Sequence, residues 1–294
     1  MKVSQTKTFE VVERIGEGGM GRIYRAFDPV MDRYVALKVL KPDVPESERR
    51  RFRREAVVAA NFSHPNLPRV LDRGGDPEHG IEWMTMEFLR GRDLGRIIDL
   101  GREIAFALLI DIFSQTLDAL DYIHTRRIVH CDVKPDNIFV TRDSYDRRIV
   151  IVKLIDFGVC RSLDAKEQPT KQLIGDPRYM APEQTVVDGQ ICPQTDLYSL
   201  GLTFYEAIVG SHPFDAQLQG RPTRHLLKVQ RKEMPAPVAT RRPDMPTPLA
   251  VAIDQIISLA CAKDPARRYP DAKAMKRGIQ HLLDGYLAPP LRRP

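Results

Sequence analysis

The sequence predicts an α+β protein in two parts, a small β-rich first part with one main helix and a larger, mostly helical second part. Three observations predict it. Short β-forming runs dominate the chain as far as Leu89, and a single stretch rich in Ala, Glu and Arg, Glu46 to Ala60, interrupts them. Beyond Gly91 the apolar residues switch to the three-to-four spacing of a buried helical stripe. A length of 294 residues suits two domains or one larger two-lobed unit.

In chain order, the β-like runs are Glu10 to Ile15, Arg22 to Phe27, Tyr34 to Leu40 and Glu82 to Phe88, which make a small sheet with the helix beside it. The first helical stripe of the second part is Leu109, Ile112, Phe113, Thr116, Leu117, Leu120 and Ile123. Further stripes run from Leu197 to Val209, through Ile253, Ile256, Ile257 and Ala260, and through Met275, Ile279, Leu282 and Leu283. The Pro- and Arg-rich stretch from Gly220 to Pro248 reads as a long connection. These boundaries give a first part at 1–89, a second at 90–284 and a tail or linker at 285–294.

Composition excludes several classes. With 43% apolar and 29% charged residues the chain is neither disordered nor collagen-like. Its longest uninterrupted apolar run, Ile104 to Ile110, is far short of the roughly 18 residues of a membrane span. The N-terminus lacks an apolar signal region, and the four cysteines (Cys131, Cys160, Cys192, Cys261) form no C-x-x-C pair. A reducing cytoplasm follows as the expected location, with no membrane segment in the chain. The net charge of +6 is modest and scattered, so nucleic acid is not expected as a partner. The dense run Arg49-Arg50-Arg51-Phe52-Arg53-Arg54 reads as a solvated helix face.

Chemistry first shows at Gly16-Glu17-Gly18-Gly19-Met20-Gly21, a G-x-G-x-x-G loop whose glycines let backbone N–H groups approach phosphate oxygens. Because a strand-like run follows rather than a helix, a dinucleotide fingerprint is disfavoured, and a plain Gly-rich hairpin is the alternative. Val35-Ala36-Leu37-Lys38 then places Ala36 and Lys38 on one strand face. A lysine in an apolar strand needs a partner, and Glu55 on the following helix is the candidate. The alternative is an edge strand with Lys38 in water.

The decisive segments are His130-Cys131-Asp132-Val133-Lys134-Pro135-Asp136-Asn137, Asp156-Phe157-Gly158 and Ala181-Pro182-Glu183. With the glycine loop and Lys38 they resemble the protein-kinase signature set, over about Phe9 to Leu283, and most closely that of bacterial eukaryotic-like serine/threonine kinases. The resemblance implies the bilobal protein-kinase fold and an ATP- and Mg²⁺-dependent transfer to Ser or Thr hydroxyls, with Mn²⁺ as a substitute metal and autophosphorylation included. ATP would lie between the lobes. Lys38, oriented by Glu55, would hold the α- and β-phosphates, and Asn137 and Asp156 would bind the metal. Asp132 would accept or orient the substrate hydroxyl while Lys134 faces the γ-phosphate. Gly16, Gly18 and Gly21 would cover the phosphates. Ile15, Ile23, Ala36 and Phe139 would wall the adenine, with Met86 as gatekeeper and the backbones of Glu87 and Leu89 facing the base. Asp196 would anchor the catalytic loop and Arg268 would pair with Glu183. Proteins with Ser or Thr acceptors are the implied partners, with room for a homodimer.

Two positions depart from the pattern. Cys131 replaces the arginine that receives an activation-loop phosphate, so phosphorylation at Thr170 or Ser162 is not expected to be the main switch. Asp176 stands where the family usually has threonine beside the catalytic Asp and Lys. A carboxylate about 4 Å from Asp132 would repel it by about 4 kcal/mol at an effective dielectric near 20, unless Lys134 pairs with it or the loop turns it away. Asp176 is therefore expected to lower basal activity or alter substrate choice. The competing readings are a pseudokinase, which the intact Lys38, Asp132, Asn137 and Asp156 oppose, and a small-molecule phosphotransferase, which Ala181-Pro182-Glu183 opposes.

Overall fold

In the computed structural model, which describes residues 8–18, 20–76, 80–143, 146–164, 175–218 and 220–287, the chain forms two units, Met1–Gly91 with Ile155–Gly158 and Arg92–Leu154 with Val159–Pro294. Gly19, Thr170 and the 288–294 end lie outside the described residues.

The first unit is an antiparallel sheet of β1 (Glu10–Glu17), β2 (Gly21–Asp28), β3 (Arg33–Leu40), β4 (Val70–Asp76) and β5 (Ile81–Glu87), with α1 (Glu46–Ala60) between β3 and β4 in the chain. Its order is β1-β2-β3-β5-β4. β3 is central and buried over its last six residues, which rules out the edge-strand alternative for Lys38. Residues paired across antiparallel strands share a face. Ile23 pairs with Lys38, Lys38 with Met84 and Ala36 with Met86, so all five side chains lie on one face. α1 covers that face with Phe52, Glu55, Ala56 and Ala59, spaced three or four apart, against Leu40 and Met84. The opposite face buries Phe9, Ala26, Val35, Leu37, Val39 and Trp83.

β4 was invisible in the β-forming pattern because Gly74-Gly75 interrupts it. The glycine is needed: a Cβ on Gly74 would stand 2.6 Å from the Trp83 indole. In the arginine run on α1, Arg50 and Arg53 are exposed, and Arg49 and Arg53 both turn onto Glu82, at 3.5 and 2.7 Å.

The second unit contains β6 (Gly91–Asp93, shared with the first at its start), α2 (Leu94–Asp99), α3 (Phe106–His124), β7 (Ile128–Val129), β8 (Ile138–Arg142), β9 (Val150–Leu154) and β10 (Arg161–Ser162). Then come α4 (Pro193–Val209), α5 (Asp215–Leu218), α6 (Thr223–Lys232), α7 (Val238–Arg241), α8 (Thr247–Ala260) and α9 (Ala272–Leu287). α4 is buried nearly all round, as an apolar helix at the centre of a unit must be. Its Phe204 meets Phe113 of α3 edge to face at 4.8 Å. α3 also packs on α9, where Lys276 holds both oxygens of Asp118 at 2.7 Å. The stretch expected as a long connection, Gly220 to Pro248, instead carries α6 and α7. Cations and prolines dilute its apolar residues, among them Leu226, Leu227, Val229 and Val238, below what a periodicity count detects.

Candidate active site

In the first unit, Lys38 and Glu55 face each other across the sheet–helix interface, both buried. Lys38 Nζ donates to both Glu55 oxygens at 2.7 and 2.8 Å and reaches Asp156 Oδ1 at 3.5 Å. Burial alone would lower the lysine's pKa, but the Asp156 and Glu55 carboxylates outweigh it and hold the ammonium above its ordinary value. Burial pushes the Glu55 carboxyl up to about 7, against the pull of Lys38. Asp156 is half exposed and sits at φ +66°, an unfavourable left-handed backbone that sequence order alone does not reveal.

The glycine loop joins β1 to β2. Gly18 N–H donates to Gly21 C=O at 2.9 Å, and Lys41 Nζ caps the Gly18 carbonyl at 3.0 Å. Gly21 is required by close approach, because a Cβ there would stand 2.8 Å from the Val39 carbonyl oxygen. Gly16 pairs with Ile23, and Ile15 precedes it on β1, partly exposed. Glu87 spends its N–H and its carboxylate on Arg69, both at 2.9 Å, and Leu89 follows the end of β5, half-buried.

In the second unit, the buried Asp196 carboxylate on α4 accepts the N–H groups of His130 and Cys131, each at 2.8 Å, and faces His124 Nε2 at 2.8 Å. Those bonds hold a loop in which Cys131 adopts φ +66°. Asp132 is presented next. Its Oδ2 accepts from Asn137 Nδ2 at 2.9 Å and lies 3.3 Å from Lys134 Nζ, while Oδ1 accepts the Asp176 N–H at 2.9 Å. Gly175, at φ +111°, permits this approach, since a Cβ would stand 2.9 Å from the Cys131 carbonyl. Lys134 also reaches Asp176 Oδ2 at 3.7 Å, so a cation does stand between the two carboxylates. Burial lowers the Lys134 pKa, yet Asp132 and Asp176 together raise it overall. Phe139 lies on β8, half-buried.

The supports of this region were legible in the sequence only in part. Arg268 pairs with Glu183 at 2.7 and 2.8 Å, as expected. Tyr179 O–H, however, donates to Glu206 at 2.5 Å, and Gln230 Nε2 donates to the Arg178 carbonyl. The partners are 27 and 52 residues apart, and no local spacing signals them. Cys131 is buried, and burial with the nearby Asp196 carboxylate raises its thiol pKa, so it stays a neutral, unreactive thiol.

The protein kinase domain family matches residues 9–281. Among curated relatives, serine/threonine-protein kinase pkn3 of Myxococcus xanthus is 35% identical over 92% of this chain and 49% of its own length. PknF of Mycobacterium tuberculosis is 34% identical over 94% of this chain and 56% of its own. The chain thus spans about half the length of these relatives. Among solved structures, the Mycobacterium tuberculosis PknI kinase domain superposes with a TM-score of 0.70 at 27% identity, covering 96% of this chain and 99% of that one. Spread over both units and matched almost end to end, the likeness makes this chain a member of the protein kinase domain family, alongside bacterial serine/threonine-protein kinases.

Proposed function

We propose that the chain is a protein serine/threonine kinase that transfers the γ-phosphate of ATP to hydroxyls of protein substrates and of itself, in a reducing cytoplasm that suits its four free cysteines. The carrying observation is the setting of Asp132, whose two oxygens are fixed by Asn137, the Asp176 N–H and Lys134. A carboxylate so held orients an acceptor hydroxyl and takes its proton.

Members of this family use ATP and a divalent metal ion. The residues fit Mg²⁺. Asn137 donates twice from Nδ2 to Asp132, leaving its amide oxygen as a ligand, and Asp156 offers a half-exposed carboxylate. When bound, the metal would neutralise phosphate charge. Lys38 would bind phosphate oxygens, Glu55 would keep it aligned, and Lys134 would neutralise the transferred group. Ile23, Ala36 and Met86, on one sheet face, would line the adenine with Ile15, and Phe139 would supply a further apolar contact.

Labelled γ-phosphate offered to the chain and to a generic basic protein tests this. Labelling of Ser or Thr should fall about 10³-fold in Asp132→Asn, as the loss of a positioned base predicts. No labelling by a folded chain that still binds ATP would replace this reading with that of a nucleotide-binding scaffold.

A further inference from the structure

Helix α6 has two unlike faces. Arg224, Lys228 and Arg231 recur at intervals of four and three, with Arg221 just ahead and Lys232 beside them, and all five are exposed. Among the described residues none of the five makes an ion pair or a side-chain hydrogen bond. Several other cations of the same unit are engaged: Arg178 with Asp215, Arg242 with Glu103 and Asp244, Lys273 with Asp121, Lys276 with Asp118. On a chain whose net charge is only +6, this helix and the arginine just ahead of it gather five positive charges that make no ion pair among the described residues.

The inner face is bound to the acceptor side of the candidate site. Buried Gln230 donates to the Arg178 carbonyl and accepts the Tyr198 O–H at 2.8 Å, while its own carbonyl accepts from Lys263 Nζ at 2.9 Å. Arg178 N–H in turn donates to Asp176 Oδ1 at 3.0 Å, and Asp176 N–H donates to Asp132. The basic face is therefore held at a set distance from the carboxylate that would receive an acceptor hydroxyl.

We propose that the outer face of α6 is a docking surface for an acidic segment of a protein substrate, which it positions so that a Ser or Thr elsewhere in that substrate reaches Asp132. The substrate part of this proposal rests on the kinase reading above. Charge complementarity selects the occupant. A nucleic-acid face would interleave aromatic residues for stacking, and α6 has no Phe, Tyr or Trp. A membrane-surface helix would turn apolar residues outward, whereas Leu226, Leu227 and Val229 are half-buried or buried.

The test uses the full chain and a fluorescein-labelled oligoglutamate peptide, with phosphatidylserine vesicles and a duplex DNA oligonucleotide as separate arms. Arg224→Glu/Lys228→Glu/Arg231→Glu is compared with Arg33→Glu/Arg50→Glu/Arg277→Glu, which makes the same charge change at scattered exposed sites. Peptide affinity should fall about tenfold or more in the first variant and stay within about twofold in the second. For a phosphoacceptor carrying an oligoglutamate extension, the first variant should raise KM and leave kcat unchanged; without the extension, neither constant should move. Equal losses in both variants, no peptide binding, or α6-dependent capture of vesicles or DNA alone would overturn the docking proposal. Binding that depends on α6 in a chain that transfers no phosphate would instead uphold the acidic-segment surface and overturn the kinase reading.

Discussion

Lys38 in the first unit and Lys134 in the second each stand between two carboxylates, in different surroundings. Lys38 and Glu55 keep only 9% and 4% of their side-chain surface, whereas Lys134, Asp132 and Asp176 keep 19%, 12% and 29%. In the first pair the ammonium gives two short bonds to one partner; in the second it is shared at 3.3 and 3.7 Å. A buried pair is strongly interdependent, because either charge alone would be stranded in a low dielectric. A partly solvated trio is exchangeable, because water screens each charge and the cation can shift between partners at small cost. One cluster thus fixes a position, and the other distributes a charge.

The sharpest way to break that contrast is to remove each lysine. Lys38→Met leaves Glu55 buried without its cation and should cost about 3–5 kcal/mol of stability, most of it recovered in Lys38→Met/Glu55→Leu. Lys134→Met should cost less than about 1 kcal/mol. Urea unfolding of the variants checks this, and equal midpoints for the two single variants would refute the contrast.

The first cluster was legible in the sequence to a degree the second was not. The two-residue period of β3 puts Ala36 and Lys38 on one face, and the composition of Glu46 to Ala60 marks a helix carrying Glu55. Strand and helix periodicity therefore suffice to bring the pair together. The second cluster depends on loops, whose course follows from positive φ at Cys131 and Gly175 and from the buried Asp196 beneath them. The residues Asp132, Lys134 and Asn137 could be read from a motif, but whether Lys134 would meet Asp176 could not. Helix α6 escaped notice for another reason: its charges hide a period that becomes visible only when Val229 and Gln230 are seen to be its buried side.

Acid should break the second region's support while the pH is still too high to protonate most carboxylates. His212 is buried, and burial with the nearby Arg178 charge lowers its pKa to about 4, with Asp215 and Asp176 opposing. The neutral ring then donates from Nε2 to the Arg178 carbonyl at 3.0 Å and accepts the Phe214 N–H at Nδ1. Because the unfolded histidine takes its proton near 6.5, the stability it confers is complete above that pH and lost as pH falls toward 4. At about 1.36 kcal/mol per pH unit the loss by pH 4 is about 3 kcal/mol. His212→Gln should flatten the stability profile between those pH values, and an unchanged slope would show that the ring titrates freely.

The smallest expected effect probes how the second cluster distributes its charge. Asp176 contributes two things to Asp132: a backbone N–H that any residue supplies, and a carboxylate that competes for Lys134. Asp176→Thr and Asp176→Asn keep the first and remove the second. If Lys134 is the group that neutralises the transferred phosphate, releasing it from Asp176 should raise kcat about tenfold, equivalent to about 1.4 kcal/mol of barrier. Asp176→Glu, which retains the competing charge, should stay near the starting rate. KM for ATP should change little in all three, because Lys38 and Asp156 lie in the other unit. A kcat that is the same in Asp176→Thr, Asp176→Asn and Asp176→Glu would mean that Lys134 is committed to Asp132 alone, and that the 3.7 Å approach to Asp176 carries no energy relevant to transfer.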